Sequence, residues 1–493
     1  MDNNTFIPQA FIDKMSAIIP ENLTVDDLIA ACRRPLRRAI RVNTLKISVA
    51  DFQLRAKEHA WKLIPIPWCA EGFWIASDDL IESQNSTEGH SLGNSAEHLA
   101  GLCYIQEASS MLPVSALFHF FKQSDKSVVL DAAAAPGSKT TQIAALMENK
   151  GLIIANEFSS SRIKMLHANI QRSGIHNVAL THFDARVFGE WLPETFDAIL
   201  LDAPCSGEGT VRKDKHAMKN WSQESIEEIA LMQKDLINSA FHSLKPNGIL
   251  VYSTCTLSHE ENQEVLHYLQ AEHTDKVKFL NLAALFSDAH KTATQEGFLH
   301  IWPQVYDSEG FFVAAIQKTA SSADKNTNKR PAKFPFTKPT KTEIESLLTY
   351  FRTQYGIVDL TGVIYKREQE FWLFPKGIEP LMDKIRFSRL GIKIAEQFGK
   401  GRKTGFKTMY EFARCFADNS VSKQHTNNIN LNAEQANEFY QGRDIHNIDC
   451  NGASGEVFVS YRGHVIGIGK ALSNRIKNNL PRDLIHDKKL FKA

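Results

Sequence analysis

No stretch of this 493-residue chain approaches the ~18 uninterrupted apolar residues of a membrane-spanning helix. Its start, MDNNTFIPQAF, has neither the basic nor the apolar segment of a secretion signal. A cytoplasmic protein without membrane contact is expected. Cysteine is scarce: the seven at positions 32, 69, 103, 205, 255, 415 and 450 form no CxxC pair and no cluster with histidine, so the sequence indicates neither a disulfide framework nor a metal site. GxGxxG and GxxxxGK[ST] are both missing, which leaves the two commonest pyrophosphate-binding loops unencoded. There is no internal repeat at solenoid periods. Net charge is almost nil at +1, but unevenly shared. Residues 376–493 hold 20 Lys and Arg against 12 Asp and Glu, or +8, leaving −7 on the rest. A basic C-terminal module on an acidic body suits a polyanion-binding appendage.

What is present is enough for several domains, with 43% apolar residues to build cores. Residues 1–100 open with amphipathic helical patterns (PQAFIDKMSAII, LTVDDLIAACRR), continue into the strand-like AIRVNTLKI and end in a polar stretch over 77–97. Over 101–318 apolar runs alternate with helical segments: VVLDAAAAPG, GLIIANE, NVALTHFDA, FDAILLDAP and GILVYSTC. That alternation predicts a doubly wound, mostly parallel α/β sheet. It closes with HIWPQVYDSEGFFVAAIQK (300–318), two strand-like runs around an Asp-Ser-Glu-Gly turn, which predicts an antiparallel edge hairpin. Residues 319–342, rich in Lys, Pro, Ser and Thr, read as a linker. A small connecting module follows over 343–375, with a helix at 342–354 and paired strands in GVIYKREQEFWLFP, and then a basic module with short strands over 376–493.

Two thiols stand out. Cys205 follows one strand in FDAILLDAPCSGEG (196–209), and Cys255 ends the next in GILVYSTCTLS (248–258). Carbon 5 of cytosine is a poor nucleophile. An enzyme that methylates it must first add a thiolate to carbon 6, which makes carbon 5 enamine-like, and must later release that thiolate. A single intracellular cysteine is most often a buried apolar residue; two at strand ends of one sheet suit such covalent chemistry. Cys255 is expected where the strand at 249–253 gives way to a helix carrying Glu260 and Glu261, and thiols at helix N-termini are activated. Gly207 and Gly209 let backbone approach a ligand near Cys205.

Carboxylates mark the other strand ends. The first ends in Asp131 and then AAAAPGSKTTQ, so Ala133, Ala134, Ala135, Pro136, Gly137, Ser138 and Lys139 form a short, close turn into a helix N-terminus. Such a turn suits the amino-acid end of S-adenosylmethionine better than a pyrophosphate. Glu157 ends the second strand, where it could accept from both ribose hydroxyls. Asp184 ends the third, placed for an adenine amino group, and Asp202 ends the fourth.

The set DAAAAPGSKTTQ, Glu157, Asp184, DAPCSGEG and STCT resembles the Nol/Nop/Sun family of RNA cytosine-5 methyltransferases, whose motifs read DxxAAPGxKT, DAPCSGxG and STC in this order. The likeness extends to RVNTLK (41–46) and YIQEASSMLP (104–113) and so covers residues 30–318. Ser138, where most members have Gly, and the long C-terminal extension resemble a bacterial subgroup acting on small-subunit ribosomal RNA. The resemblance implies a Rossmann-like methyltransferase fold with S-adenosylmethionine as cofactor. It assigns Cys255 as nucleophile and Cys205 to product release, a choice that spacing alone leaves open because DNA cytosine-5 methyltransferases attack through a Pro-Cys thiol. It places Asp202 near ring nitrogen 3 of the target cytosine, where a protonated carboxyl, with its pKa raised at the end of an apolar strand, would make carbon 6 more electrophilic. The group that removes the carbon-5 proton is not identifiable.

Strands with Gly turns and basic residues in GEVFVSYRGHVIGIGK (455–470) and RIKNNLPRDL (475–484) resemble the small β-barrel of pseudouridine-synthase-and-archaeosine-transglycosylase (PUA) RNA-binding domains. The expectation is an RNA (cytosine-5-)-methyltransferase, a monomer acting on small-subunit ribosomal RNA in the assembled or assembling 30S subunit. RNA loops make extrusion of the base cheapest. A transfer-RNA methyltransferase would share the chemistry. An amino methyltransferase would present [DN]PP[FY] where DAPC stands, and a non-catalytic assembly factor would not need Asp131, Glu157, Asp202, Cys205 and Cys255 together.

Overall fold

The computed structural model describes residues 5–76, 92–322, 334–399, 405–417, 427–450 and 452–486. The polar stretch at 77–97 and the linker at 319–342 therefore lie partly outside the described residues. The N-terminal part, after helices Gln9–Ile18 and Val25–Cys32, forms an antiparallel sheet of β1 (Ala39–Val42), β2 (Lys62–Ile66), β3 (Cys69–Ala76) and β4 (Cys103–Ile105) in the order β2-β3-β1-β4.

The apolar runs become the central sheet: β5 (Val128–Asp131), β6 (Leu152–Asn156), β7 (Val178–Thr181), β8 (Phe196–Asp202), β9 (Leu244–Thr254), β10 (Val277–Leu280), β11 (Leu299–Ile301) and β12 (Phe311–Lys318). Every residue of β6 and of β7 is buried, as expected of strands covered by helices on both faces. The order is β10-β12-β9-β8-β5-β6-β7, with β9, β8, β5, β6 and β7 mutually parallel. The chain winds outward from β5 through β6 and β7, then returns to lay β8 and β9 on the other side. That reversal opens a crevice beyond the carboxyl ends of β5 and β8, where doubly wound sheets bind ligands. The antiparallel pair expected over 300–318 forms as β11 against β12, with a helical turn, Pro303–Tyr306, between them. β12 also pairs with β9 and β10, so β10 is the outermost strand at this end.

The division drawn at 375/376 crosses a sheet. β13 (Val363–Arg367), β14 (Glu370–Phe374), β16 (Ile392–Phe398) and β17 (Gly405–Thr408) are hydrogen-bonded in one antiparallel layer. β15 (Arg389–Leu390) leaves that layer to pair with β7, extending the central sheet. Two residues carry too little pattern to be read as a strand from sequence. Arg414 ties the modules together: its buried guanidinium donates to the carbonyls of Ala100, Arg172 and Val465. The last sheet takes β18 (Asn428–Leu431), β19 (Ile445–His446), β20 (Gly455–Tyr461), β21 (His464–Leu472) and β22 (Arg475–Asn478) in the order β18-β20-β21-β22-β19. Its central hairpin turns at Arg462 and Gly463, both at positive φ, the twist that tight hairpins favour. Among the described residues no helix is long and apolar enough to cross a membrane.

Candidate functional site

The strand ends bring the two thiols together. Cys205 Sγ and Cys255 Sγ lie 3.1 Å apart, both half-buried, and the Cys255 amide donates to Cys205 Sγ at 3.3 Å. The hydrogen bond with Cys255, burial and the negative charge of Glu261 hold the Cys205 thiol well above its ordinary pKa. Cys205 thus keeps its proton at neutral pH and faces the Cys255 sulfur 3.1 Å away.

Two buried glutamates fix the loops that carry these thiols. Glu208 accepts from Thr256 Oγ1 (2.8 Å), Ser258 Oγ (2.8 Å) and the Leu257 amide (3.2 Å) through Oε1, and from Trp221 Nε1 (2.7 Å) through Oε2. Glu261 accepts from the Ser206 amide (2.9 Å), Ser206 Oγ (2.5 Å) and Gln233 Nε2 (3.0 Å). Burial raises the pKa of Glu261. This corrects the expected helix start. Glu260 and Glu261 precede the helix Gln263–Glu272, because the Glu261 carboxylate is engaged by Ser206 instead of capping a first turn. Cys255 consequently gains nothing from a helix N-terminus, an effect that fades within one turn.

Asp202 borders the thiol pair, accepting from Lys139 Nζ at 2.6 Å and from Ser253 Oγ at 2.7 Å. With an ammonium on one oxygen and a hydroxyl on the other it is an acceptor. The protonated role expected of it finds no support in this arrangement. Lys139 also donates to Ser110 Oγ at 3.1 Å, drawing the 104–113 motif into the site.

The turn after β5 is built as its small residues suggest. Gly137 sits at φ 105°, and a Cβ there would come within 2.9 Å of Leu166 Cδ1. The helix Ser138–Leu146 starts directly after it. Its first turn is held by Arg41, which donates to the Ser138 carbonyl (2.7 Å), Gln106 Oε1 (2.6 Å) and Thr141 Oγ1 (2.8 Å). Burial lowers the Arg41 pKa to about 10, leaving it charged. Asp131 is fully buried: Thr140 donates to Oδ2 at 2.6 Å, Oδ1 has no partner among the described residues, and burial pushes its pKa up to about 7. An orphaned carboxyl oxygen is costly, and a ligand amino group would relieve it.

Glu157 accepts from the Ala135 amide (3.2 Å) and the Ser159 amide (2.8 Å), with Arg162 at 3.6 Å. Ala134 donates to the Asn156 carbonyl at 2.8 Å, and the Asn156 side chain bonds Ala132, Phe183 and Thr181, locking the ends of three strands together. Asp184 is gripped by Arg186 at 2.6 Å, which lowers its pKa, so it stays an ionised acceptor. The carboxyl edge thus presents, in order, the thiols, Asp202, Asp131 with its turn, Glu157 and Asp184. Sequence reasoning assigned no role to Arg41, Gln106, Ser110, Asn156, Arg162, Glu208 or Glu261. RVNTLK, YIQEASSMLP and DAPCSGEG contained four of them as a signal.

Comparison with known proteins agrees with this order. Four family models match consecutive parts of the chain: the N-terminal domain of 16S rRNA methyltransferase RsmF (7–108), 16S rRNA methyltransferase RsmB/F (119–317), the ribosomal RNA small subunit methyltransferase F pre-PUA domain (336–409) and the methyltransferase RsmF PUA domain (426–486). The ribosomal RNA small subunit methyltransferase F of Psychromonas ingrahamii is 65% identical over the full length of both chains. Among solved structures, a methyltransferase homolog protein from Pyrococcus horikoshii aligns with a TM-score of 0.53 at 35% identity, covering 63% of this chain and 95% of that one. NSun6 from Pyrococcus horikoshii with SFG aligns with a TM-score of 0.55 at 25% identity, covering 64% and 99%.

Proposed function

Because the chain belongs to the ribosomal RNA small subunit methyltransferase F family, we propose that it transfers a methyl group from S-adenosylmethionine to carbon 5 of a cytosine in 16S ribosomal RNA. The observation that carries the position of transfer is the pair of thiols 3.1 Å apart beside Asp202. A transferase acting on an amino group has no use for them.

Cys255 adds to carbon 6 of the cytosine, and the new enamine's carbon 5 takes the methyl group. The carbon-5 proton is then lost, the sulfur–carbon bond breaks, and Cys205, which holds its own proton, protonates the departing Cys255 thiolate across 3.1 Å. Asp202, fixed by Lys139 and Ser253, accepts from the exocyclic amino group that distinguishes cytosine from uracil. S-adenosylmethionine supplies an electrophilic methyl group. The residues present fit it: Asp131 Oδ1 would offer an acceptor to its amino group, the close turn of Ala133, Ala134, Ala135, Pro136, Gly137, Ser138 and Lys139 would take its amino-acid end, Glu157 would accept from the ribose, and Asp184 from the adenine amino group. Replacing Glu157 or Asp184 by Ala is expected to weaken cofactor binding by about 1–3 kcal/mol in calorimetry, since ligand donors are left unpaired; unchanged affinity in both variants contradicts this pocket.

The C-terminal module supplies affinity for RNA. Lys470 and Lys477 stand directly opposite each other on β21 and β22, both exposed. Like charges so placed are unfavourable unless a polyanion lies across them. Lys470→Glu with Lys477→Glu is expected to weaken RNA binding and to reduce the slope of log affinity against log salt by about 2, with the rate on bound RNA unchanged. A wild-type slope would make these lysines mere solvated charge. The enzyme acts in the cytoplasm as a monomer, on RNA in the assembled or assembling 30S subunit. Mapping 5-methylcytosine across RNA from a strain lacking the gene tests the function: one small-subunit site is expected to lose the mark, and an unaltered 16S pattern with loss from transfer RNA would overturn it.

A further inference from the structure

Where β15 leaves the small antiparallel layer to join the central sheet, the chain encloses a cleft of about 310 Å³, at the small end of ligand sites. Its lining comes from three pieces of chain. Arg367 and Trp372 belong to β13 and β14, Phe334 and Phe336 to the segment that Thr337 pins to Lys366, and Arg386, Phe387, Ser388 and Arg389 to the run that leads into β15. Three arginines line this cleft and no carboxylate does. Most of these groups already have partners. Phe336 meets the rings of Trp372 and Phe374 at 5.6 and 5.0 Å, and the Arg367 guanidinium lies 5.3 Å from the Phe336 ring and 5.5 Å from the Trp372 ring. Glu370 accepts from Arg367 at 2.7 Å, and Glu411 accepts from Arg389. Two adjacent residues differ. Among the described residues, half-buried Phe387 makes no ring contact, and exposed Arg386 has neither a hydrogen bond nor an ion pair.

The position of the cleft follows from strand register. β15 lies antiparallel to β7, with Arg389 opposite Leu180, and the Ser388 amide donates to the Leu180 carbonyl at 2.8 Å. The residues before Arg389 therefore run on toward the carboxyl end of β7, the edge of the sheet that also carries the thiols. From β9 the sheet steps through β8, β5, β6 and β7 to β15, and five spacings of about 4.8 Å put this strand about 24 Å from β9. An unused ring beside an unused guanidinium matches an unpaired nucleotide, whose base stacks on an aromatic face and whose phosphate pairs with arginine. An acidic peptide would use the charge and leave the ring idle.

We propose that this cleft holds one unpaired nucleotide of the substrate RNA, its base on Phe387 and its phosphate on Arg386. The proposal rests on the reading of the substrate as ribosomal RNA. Stacking tolerates any base, so the contact anchors the strand to one side of the target cytosine without reading its sequence. It is separate from Lys470 and Lys477, which lie on β21 and β22 of the last sheet and offer charge with no ring.

The test is the affinity of the full-length enzyme for a fluorescent single-stranded oligoribonucleotide and, in parallel, for 30S subunits lacking the modification, each measured over a range of salt. Phe387→Ala is expected to weaken both by about tenfold or more, the scale of one lost base stack, and Phe387→Tyr, which keeps a ring, is expected to restore them. Arg386→Gln, an exposed change, is expected to lower the slope of log affinity against log salt by about 0.7 on the oligoribonucleotide, one phosphate contact. Wild-type affinity in Phe387→Ala, or a wild-type slope in Arg386→Gln, would overturn the proposal. A loss in Phe387→Tyr equal to that in Phe387→Ala would make the ring a packing residue and overturn it as well. A loss confined to 30S subunits would assign the cleft to a ribosomal protein, and a parallel fall in S-adenosylmethionine affinity would assign it to the cofactor's adenine; either result overturns it. Failure of the wild-type enzyme to methylate 16S ribosomal RNA in those subunits would instead overturn the reading beneath it.

Discussion

Replacing Cys255 by Ala is expected to abolish methyl transfer, by on the order of 10⁴-fold or more, as loss of a covalent nucleophile does. Without the thiolate, carbon 6 stays unsubstituted and carbon 5 stays a poor nucleophile, and Cys205, assigned to release, is not expected to replace the bond. The substitution removes one sulfur from a half-buried position and leaves intact Glu208, Glu261 and the carbonyl of residue 255 that Gly209 uses. Cofactor affinity is therefore expected to match wild type in calorimetry, because Asp131 ends β5 and Glu157 and Asp184 follow β6 and β7, away from Cys255. Turnover equal to wild type would contradict the assignment.

Replacing Cys205 by Ala is expected to do something different, slowing release while leaving attack in place. Cys205 is the thiol held protonated by its contact with Cys255, by burial and by Glu261. Its removal takes away the proton that accompanies departure of the Cys255 sulfur, while Cys255 keeps its place at the end of β9. An enzyme–RNA adduct that survives denaturing electrophoresis is expected to accumulate in Cys205→Ala, with turnover reduced by roughly 10²–10⁴-fold, the scale of a lost general acid. A freely turning-over variant with no adduct would contradict the role.

Much of this arrangement can be read along the chain, for a physical reason. Strands buried on both faces are near-continuous apolar runs, so each run that ends in a charged or thiol residue marks both a strand and its functional edge; LIIA before Asn156 and Glu157 and AILL before Asp202 are instances. What escapes is long-range. Arg389 and Leu390 pair with β7 across more than two hundred residues of sequence, and nothing local announces a two-residue strand. The basic charge of residues 376–493 marks a division at 375/376, whereas β14 and β16 pair across it. Asp202 ends an apolar strand, but its partner Lys139 lies 63 positions away in sequence.

The central claim is that Cys255 attacks and Cys205 releases. The most direct measurement is mass-spectrometric mapping of the RNA-linked peptide from Cys205→Ala trapped on unmodified 30S subunits, alongside the Cys205→Ala, Cys255→Ala double variant. The cross-linked nucleotide is expected on Cys255, carrying a cytosine heavier by one methyl group, and no adduct is expected from the double variant. An adduct that persists without Cys255, or one that forms on Cys205 when Cys255 alone is replaced, would contradict the account and assign attack to the Pro-Cys thiol.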